Sequence, residues 1–128
     1  MNIAIICTAL LGLLLFGLGF HVSLQRRANR RSIGYEASPA DPLHRAVRAH
    51  ANTAEYAPFF AVLFLWYATR PAPVWIIATI VLATAARFAL AGALLFGASL
   101  NRPNPARMFG ALLTYLCGIV LAAGLLVT

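Results

Sequence analysis

Arg48-Ala49-His50-Ala51-Asn52-Thr53-Ala54-Glu55-Tyr56-Ala57-Pro58 is the stretch that decides how this chain folds. It opens a greasy segment that runs to about Thr69. At about 100° per residue, Arg48, Asn52 and Glu55 fall within a narrow arc of one helix face. Going backwards, Asp41, His44 and Arg45 join that face; going forwards, it becomes Phe59, Val62 and Trp66. One helix therefore carries a polar stripe at one end and an apolar stripe at the other. A polar stripe at membrane depth is expensive and needs a partner, which the rest of the chain has to supply.

The composition places that helix in a bilayer. The chain has 128 residues, 62% of them hydrophobic and 10% charged, whereas a soluble domain is about a quarter charged. Three or four apolar runs approach the ~20 residues needed to cross a membrane. A short spanning chain has little core of its own, so packing against other copies is expected. The net charge is +7, and every basic residue is Arg. These arginines flank the apolar runs, where headgroups and orientation rules act, so no nucleic acid partner is expected. Cys7 and Cys117 lie inside apolar runs, as packing residues rather than a disulfide. No Cys, His and carboxylate cluster has metal-ligand spacing, so no metal is expected.

The spacing predicts an all-α, up-down-up-down four-helix membrane bundle, one domain over 1–128, with helices at about 2–24, 42–69, 74–97 and 105–127. The first helix has no charge before it and Arg26, Arg27, Arg30 and Arg31 after it. That is the reverse of a cleavable signal peptide. His21, near its end, reads as a headgroup-level histidine or a functional one. Gly34 and Ser38-Pro39 break any helix in the loop that follows. Asp41-Pro42 then gives an N-cap with Pro at the first helical position. Pro58 removes one backbone hydrogen bond inside the second helix, which either opens a cavity or shapes packing. Arg70-Pro71-Ala72-Pro73 is a tight connection, making the second and third helices antiparallel neighbours.

In the third helix Ala85, Ala89, Ala93 and Gly97 recur every fourth residue, a spacing that permits close approach in lipid. Arg87 lies on roughly the opposite face. Asn104-Pro105 repeats the cap signal, so Arg107 falls in the first turn of the fourth helix. Free N–H groups and the positive helix end make that turn an anion site, or Arg107 snorkels to headgroups. Six arginines lie in the first loop and the start of the second helix, two around the third loop, and one, Arg70, in the second. The positive-inside rule then puts both termini outside the cytoplasm.

Depth predicts one ion pair. Glu55 is ten residues from Arg45, and Arg87 is ten from Gly97, both at the arginine-rich end. At 1.5 Å per residue each lies about 15 Å deep. Opposite charges at one depth on adjacent helices are expected to pair, because an isolated buried charge costs several kcal/mol.

The Arg48-Ala49-His50-Ala51-Asn52 run followed by Glu55-Tyr56-Ala57-Pro58 resembles the helix-two signature of the MAPEG family, the membrane-associated proteins in eicosanoid and glutathione metabolism. That family includes microsomal glutathione transferases and prostaglandin E synthase, and the chain looks like a bacterial member, which implies an inner-membrane location. The resemblance extends over nearly the whole chain, including Arg87 and the Arg107, Gly110, Thr114 set. It implies a homotrimer with glutathione, as co-substrate, bound between subunits. It also implies Arg26, Arg48, His50, Asn52, Glu55 and Tyr56 as glutathione contacts, with Arg107 facing the thiol as the catalytic group. Where well-studied members carry tyrosine or histidine on the third helix, this chain has Leu90 and Leu94. The loop before the fourth helix is longer, so Arg102 competes with Arg107.

The chemistry of these residues fits that ligand. Glutathione has two carboxylates, one ammonium and a thiol. Arg48 and Arg26 suit carboxylates through bidentate bonds; Glu55 suits the ammonium, and Asn52 offers donors and an acceptor. A free thiol ionises at about pH 8.5 and attacks only as thiolate, which a nearby Arg favours. A lipophilic electrophile would arrive through the bilayer. Two other classes remain open at the sequence level: a non-catalytic family-like protein binding lipid or a partner, and a small four-span exporter. The exporter needs an acid early in the chain, and the first helix has none.

Overall fold

The computed structural model describes residues 2–127. It contains four helices and, among the described residues, no strand: α1 (Ile3–Ala28), α2 (Pro42–Ala68), α3 (Val74–Phe96) and α4 (Pro105–Gly124). The caps read from sequence form. The Asp41 carboxylate accepts from His44 N–H at 2.8 Å, and the Asn104 side chain accepts from Ala106 and Arg107 N–H at 3.1 and 3.3 Å. Pro42 and Pro105 follow as first helical residues, where a missing N–H costs nothing. α1 runs one turn past Leu24, through Arg26 and Arg27; basic side chains suit the negative end of a helix. α2 continues unbroken through Pro58, which is exposed.

α1, α3 and α4 are long and apolar enough to cross a membrane. α2 falls short of that description because its first half carries His44, Arg45, Arg48, His50, Asn52 and Glu55. Its second half is as greasy as the other helices and buries Phe60, Leu63, Phe64 and Tyr67. α2 thus spans only if its polar half is sheltered; within the chain the packing covers Asn52, through Arg87, and leaves Arg48 and Glu55 partly exposed.

α2 packs along α1 and α3, and α4 packs along α3. α4 touches α2 only lightly and, among the described residues, does not pack along α1. The main core joins all four helices toward the end away from the arginine-rich loops: Leu11, Phe64, Tyr67, Ile76, Ile80 and Leu121 are its largest fully buried members. Both cysteines are free and buried there, as packing residues. Tyr67 Oη donates to the Leu121 carbonyl at 2.7 Å, pinning α2 to α4. α3 and α4 close up at Gly110, where a Cβ would lie 2.9 Å from Leu90 Cβ. The fourth-residue stripe of α3 does not make this contact. Ala85 and Ala89 are exposed, and the buried face is Ala83, Ala86, Arg87, Leu90 and Leu94.

At the arginine end, the two loops are tied together. Leu100 N–H donates to the Pro39 carbonyl at 2.9 Å, and Arg45 donates to the Gly97 carbonyl. Tyr35 stacks on His44, ring centroids 4.1 Å apart.

Candidate functional site

Arg87 is the largest fully buried side chain in the bundle. It projects from α3 to the polar half of α2. Its Nη2 donates to Asn52 Oδ1 at 2.6 Å, and its Nη1 donates to Thr114 Oγ1 of α4 at 3.3 Å. Thr114 in turn donates to the Gly110 carbonyl at 2.7 Å. Arg87 Nε has no hydrogen-bond partner among the described residues. The Tyr56 ring stands 5.2 Å from the guanidinium. A chain Asn52–Arg87–Thr114 therefore links three helices.

The ion pair expected between Glu55 and Arg87 is not formed. The three acidic residues of the chain are used elsewhere: Asp41 caps α2, Glu36 pairs with Arg31 at 3.1 Å, and Glu55 lies 4.0 Å from Arg48. Position along the two helices sets both charges at a similar level. The rotation of α3 about its axis, however, aims Arg87 at Asn52, and Glu55 faces out of the bundle with its side chain 52% exposed. An arginine held by two neutral acceptors, with its Nε unpaired among the described residues, keeps a buried charge without a counterion, which is costly unless each hydrogen bond is kept.

Beside this network α2 and α4 splay apart. The cleft between them has a volume of about 550 Å³ and opens on the side of the bundle. Phe59, Phe60, Leu63 and Ile119 give it an apolar wall; Glu55, Tyr56, Thr114 and Tyr115 give it a polar end. Tyr56 and Tyr115 lie with ring centroids 5.9 Å apart. Tyr115 was not anticipated from sequence. It is a phenol in an otherwise apolar helix, next to Thr114, and that isolation is the signal that marks it.

The stripe on α2 is thus assembled as expected in part. Arg48, Asn52, Glu55 and Tyr56 share one side, with Arg48 and Glu55 exposed enough to meet a ligand. The Asn52 carbonyl is occupied by Arg87. His50 turns to α1, where its ring lies against Gly19, 3.2 Å from where a Cβ would stand. Arg26 donates to the Gly34 carbonyl at 3.1 Å in its own loop, and Arg107 to the Leu100 carbonyl at 2.7 Å. No hydrogen bond or ion pair among the described residues joins either arginine to the α2 stripe. The first N–H groups of α4 are also not free, since Asn104 takes those of Ala106 and Arg107. Leu90 and Leu94 are buried against Leu18 and Ala49. No cluster of His, Cys, Asp and Glu among the described residues has the makings of a metal site.

These features define a helical integral membrane protein with a polar cluster set into the bundle and a side-opening cleft beside it. The profile of the MAPEG family matches residues 4–127, and the chain belongs to that family. No curated protein and no solved structure matches it.

Proposed function

We propose that this chain is a glutathione-dependent membrane transferase or peroxidase for lipophilic electrophiles, working as a homotrimer. The observation that carries this reading is the juxtaposition of the Arg48–Asn52–Glu55–Tyr56 stripe with the apolar cleft between α2 and α4. The stripe suits a zwitterionic peptide: Arg48 for a carboxylate, Glu55 for the ammonium, the Asn52 amide for the backbone. The cleft suits a molecule dissolved in the bilayer, because it opens sideways and its wall is phenylalanine, leucine and isoleucine.

In this reading the tripeptide is held by its carboxylates at Arg26 and Arg48, with a second copy completing the site. His50, turned to α1, acts on it indirectly. Arg107, from the same chain or a neighbouring one, exchanges the Leu100 carbonyl for the glutathione sulfur and stabilises it as thiolate. The thiol proton leaves to water. The sulfur then attacks the electrophilic carbon in the cleft, and the leaving group takes the bonding pair. Termini outside the cytoplasm follow the arginine distribution, and an inner-membrane location follows from the likeness to bacterial members of the family. Reporter fusions would test this: a fusion after Val127 should read non-cytoplasmic, and one in the Arg26–Asp41 loop cytoplasmic.

A second reading has its own observation. Leu90 and Leu94 are core residues, so α3 offers no acid–base group, which favours a non-catalytic family member that binds lipid or a partner. One experiment separates the two: glutathione binding by calorimetry, thiolate absorbance and turnover of a generic electrophile, measured on one detergent-purified sample. Binding, thiolate and turnover together support the enzyme. Absence of thiolate and turnover replaces it with the second reading.

A further inference from the structure

Four of the chain's ten basic residues, Arg26, Arg27, Arg30 and Arg31, fall within six positions where α1 ends. The backbone reverses over them. Arg31 N–H donates to the Arg26 carbonyl at 2.9 Å and Arg30 N–H to the Arg27 carbonyl at 3.2 Å. Arg30 takes a left-handed conformation, φ 50°, where glycine is the ordinary choice. The reversal brings the second pair of arginines back beside the first. The result is a concavity of about 500 Å³ lined by Ser23, Arg26, Arg27, Arg30, Arg31 and Ser32, with no carboxylate in its wall. Glu36 lies on Arg31, and the helix terminus supplies about half a negative charge. Against four guanidiniums this leaves an excess of roughly two to three positive charges.

The apolar side of the same helix leads into this concavity. Leu13, Phe16, Phe20 and Leu24 are exposed, and their spacing puts them on the side of α1 that carries Arg27. From Leu13 to Leu24 the stripe rises about 16 Å, close to one leaflet, half of the ~30 Å hydrocarbon core. Ile33, 84% exposed, stands in the loop just beyond the arginines. A soluble anion would use the arginines and leave the stripe and Ile33 idle; a lipid uses all three.

We propose that this concavity binds the headgroup of an anionic phospholipid bearing two phosphodiesters, with its acyl chains along the Leu13–Leu24 stripe. Arg27, Arg30 and Arg31 take the phosphates as charge-assisted, bidentate donors, and Ser23 and Ser32 add hydroxyl donors. Arg26, tied to the Gly34 carbonyl, holds the loop in place. The site is separate from the α2–α4 cleft; Arg26, on its edge, is the one residue it shares with the proposed glutathione contacts, and the lipid phosphates fall to Arg27, Arg30 and Arg31.

The test uses the full chain in detergent, titrated with diphosphatidylglycerol, phosphatidylglycerol, phosphatidylcholine and inorganic pyrophosphate, read by native mass spectrometry and thermal melting. Diphosphatidylglycerol should persist as a single adduct and raise the melting temperature more than the other three. The Arg27→Gln/Arg30→Gln pair should weaken that binding about thirtyfold. Arg70→Gln/Arg102→Gln, with the same change of charge, should leave it unaltered. Equal losses in the two double variants would reduce the effect to general attraction and overturn the site. Equally tight phosphatidylglycerol or phosphatidylcholine would overturn the two-phosphate headgroup, and pyrophosphate as tight as the lipid would overturn a lipid ligand. Arg30→Gly guards against misfolding, because glycine suits the backbone there. It should melt no lower than the unmodified chain without lipid yet lose most of the lipid-induced rise; an undiminished rise would overturn the role of Arg30.

Discussion

Arg48 and Arg87 both address the polar stripe of α2, from opposite environments. Arg48 is on the stripe itself, its side chain 42% exposed, and faces Glu55 across 4.0 Å. Arg87 comes from α3, is fully buried, and reaches Asn52 and Thr114 with no acid in contact. The exposed pair is loose at 4.0 Å, so it contributes little to folding and is easily exchanged for a ligand's charges. The buried cation is engaged by neutral groups that nothing can replace cheaply, so it belongs to the architecture. One stripe thus serves two ends: its inner side holds three helices together, and its outer side is available.

The sharpest way to break this comparison is at Asn52. Asn52→Ala should destabilise the bundle by about 2–3 kcal/mol, because it strips a hydrogen bond from a buried charge. Arg87→Met should cost less, since it removes the charge together with the need for partners. Thermal or denaturant unfolding in detergent measures both. If Asn52→Ala is no more damaging than Arg48→Ala, the division between inner and outer sides is wrong.

Arg48→Ala is the converse. Stability should change by less than about 1 kcal/mol, while glutathione affinity should fall by a factor corresponding to about 1.5–3 kcal/mol, the value of a hydrogen bond to a charged group. Calorimetric titration would sink the proposed carboxylate contact if affinity were unchanged.

Arg107 extends the comparison to the chemistry. Arg107→Ala should lower turnover about tenfold, equivalent to one unit in thiol acidity or about 1.4 kcal/mol, with little change in binding. Arg102, in the hydrated loop, should be mild when replaced by Ala. Thiolate absorbance titrations distinguish them; loss of thiolate in Arg102→Ala alone would transfer the role to Arg102. The smallest effect is expected at Thr114→Val. Its bond from Arg87 is the longer one, 3.3 Å, so a loss near 1 kcal/mol is expected, detectable as a modest drop in melting temperature.

The ends of the helices were legible because their signals are local. Asp41-Pro42 and Asn104-Pro105 cap and start helices by bonds within four residues, so no distant contact has to be known. The membrane class was equally legible, since it depends on run length and charge content. The site was legible as far as one helix extends: Arg48, Asn52, Glu55 and Tyr56 share a side by periodicity alone. What was not legible was everything that depends on a second helix. Glu55 and Arg87 have similar depths, but depth does not fix the direction a side chain faces. Tyr115 is only an isolated phenol within its own helix, because its partner, Tyr56, is on another. The small residues of α3 suggested a close contact, yet Ala85 and Ala89 face outward, and the close approach is made by Gly110 from α4.

By itself, the sequence determined four helices, their caps, their place in a bilayer and a polar stripe on the second. Each of these follows from the chain's own period, its turn chemistry or its hydropathy. The tertiary structure decided which neighbour that stripe would meet. Arg87 took Asn52 and Thr114 rather than Glu55, and Leu90 and Leu94 turned into the core. Those outcomes depend on the rotation of α3 and α4 about their own axes. That rotation is set by the combined packing of side chains from all four helices, at contacts such as Gly110 on Leu90 and Tyr67 on Leu121.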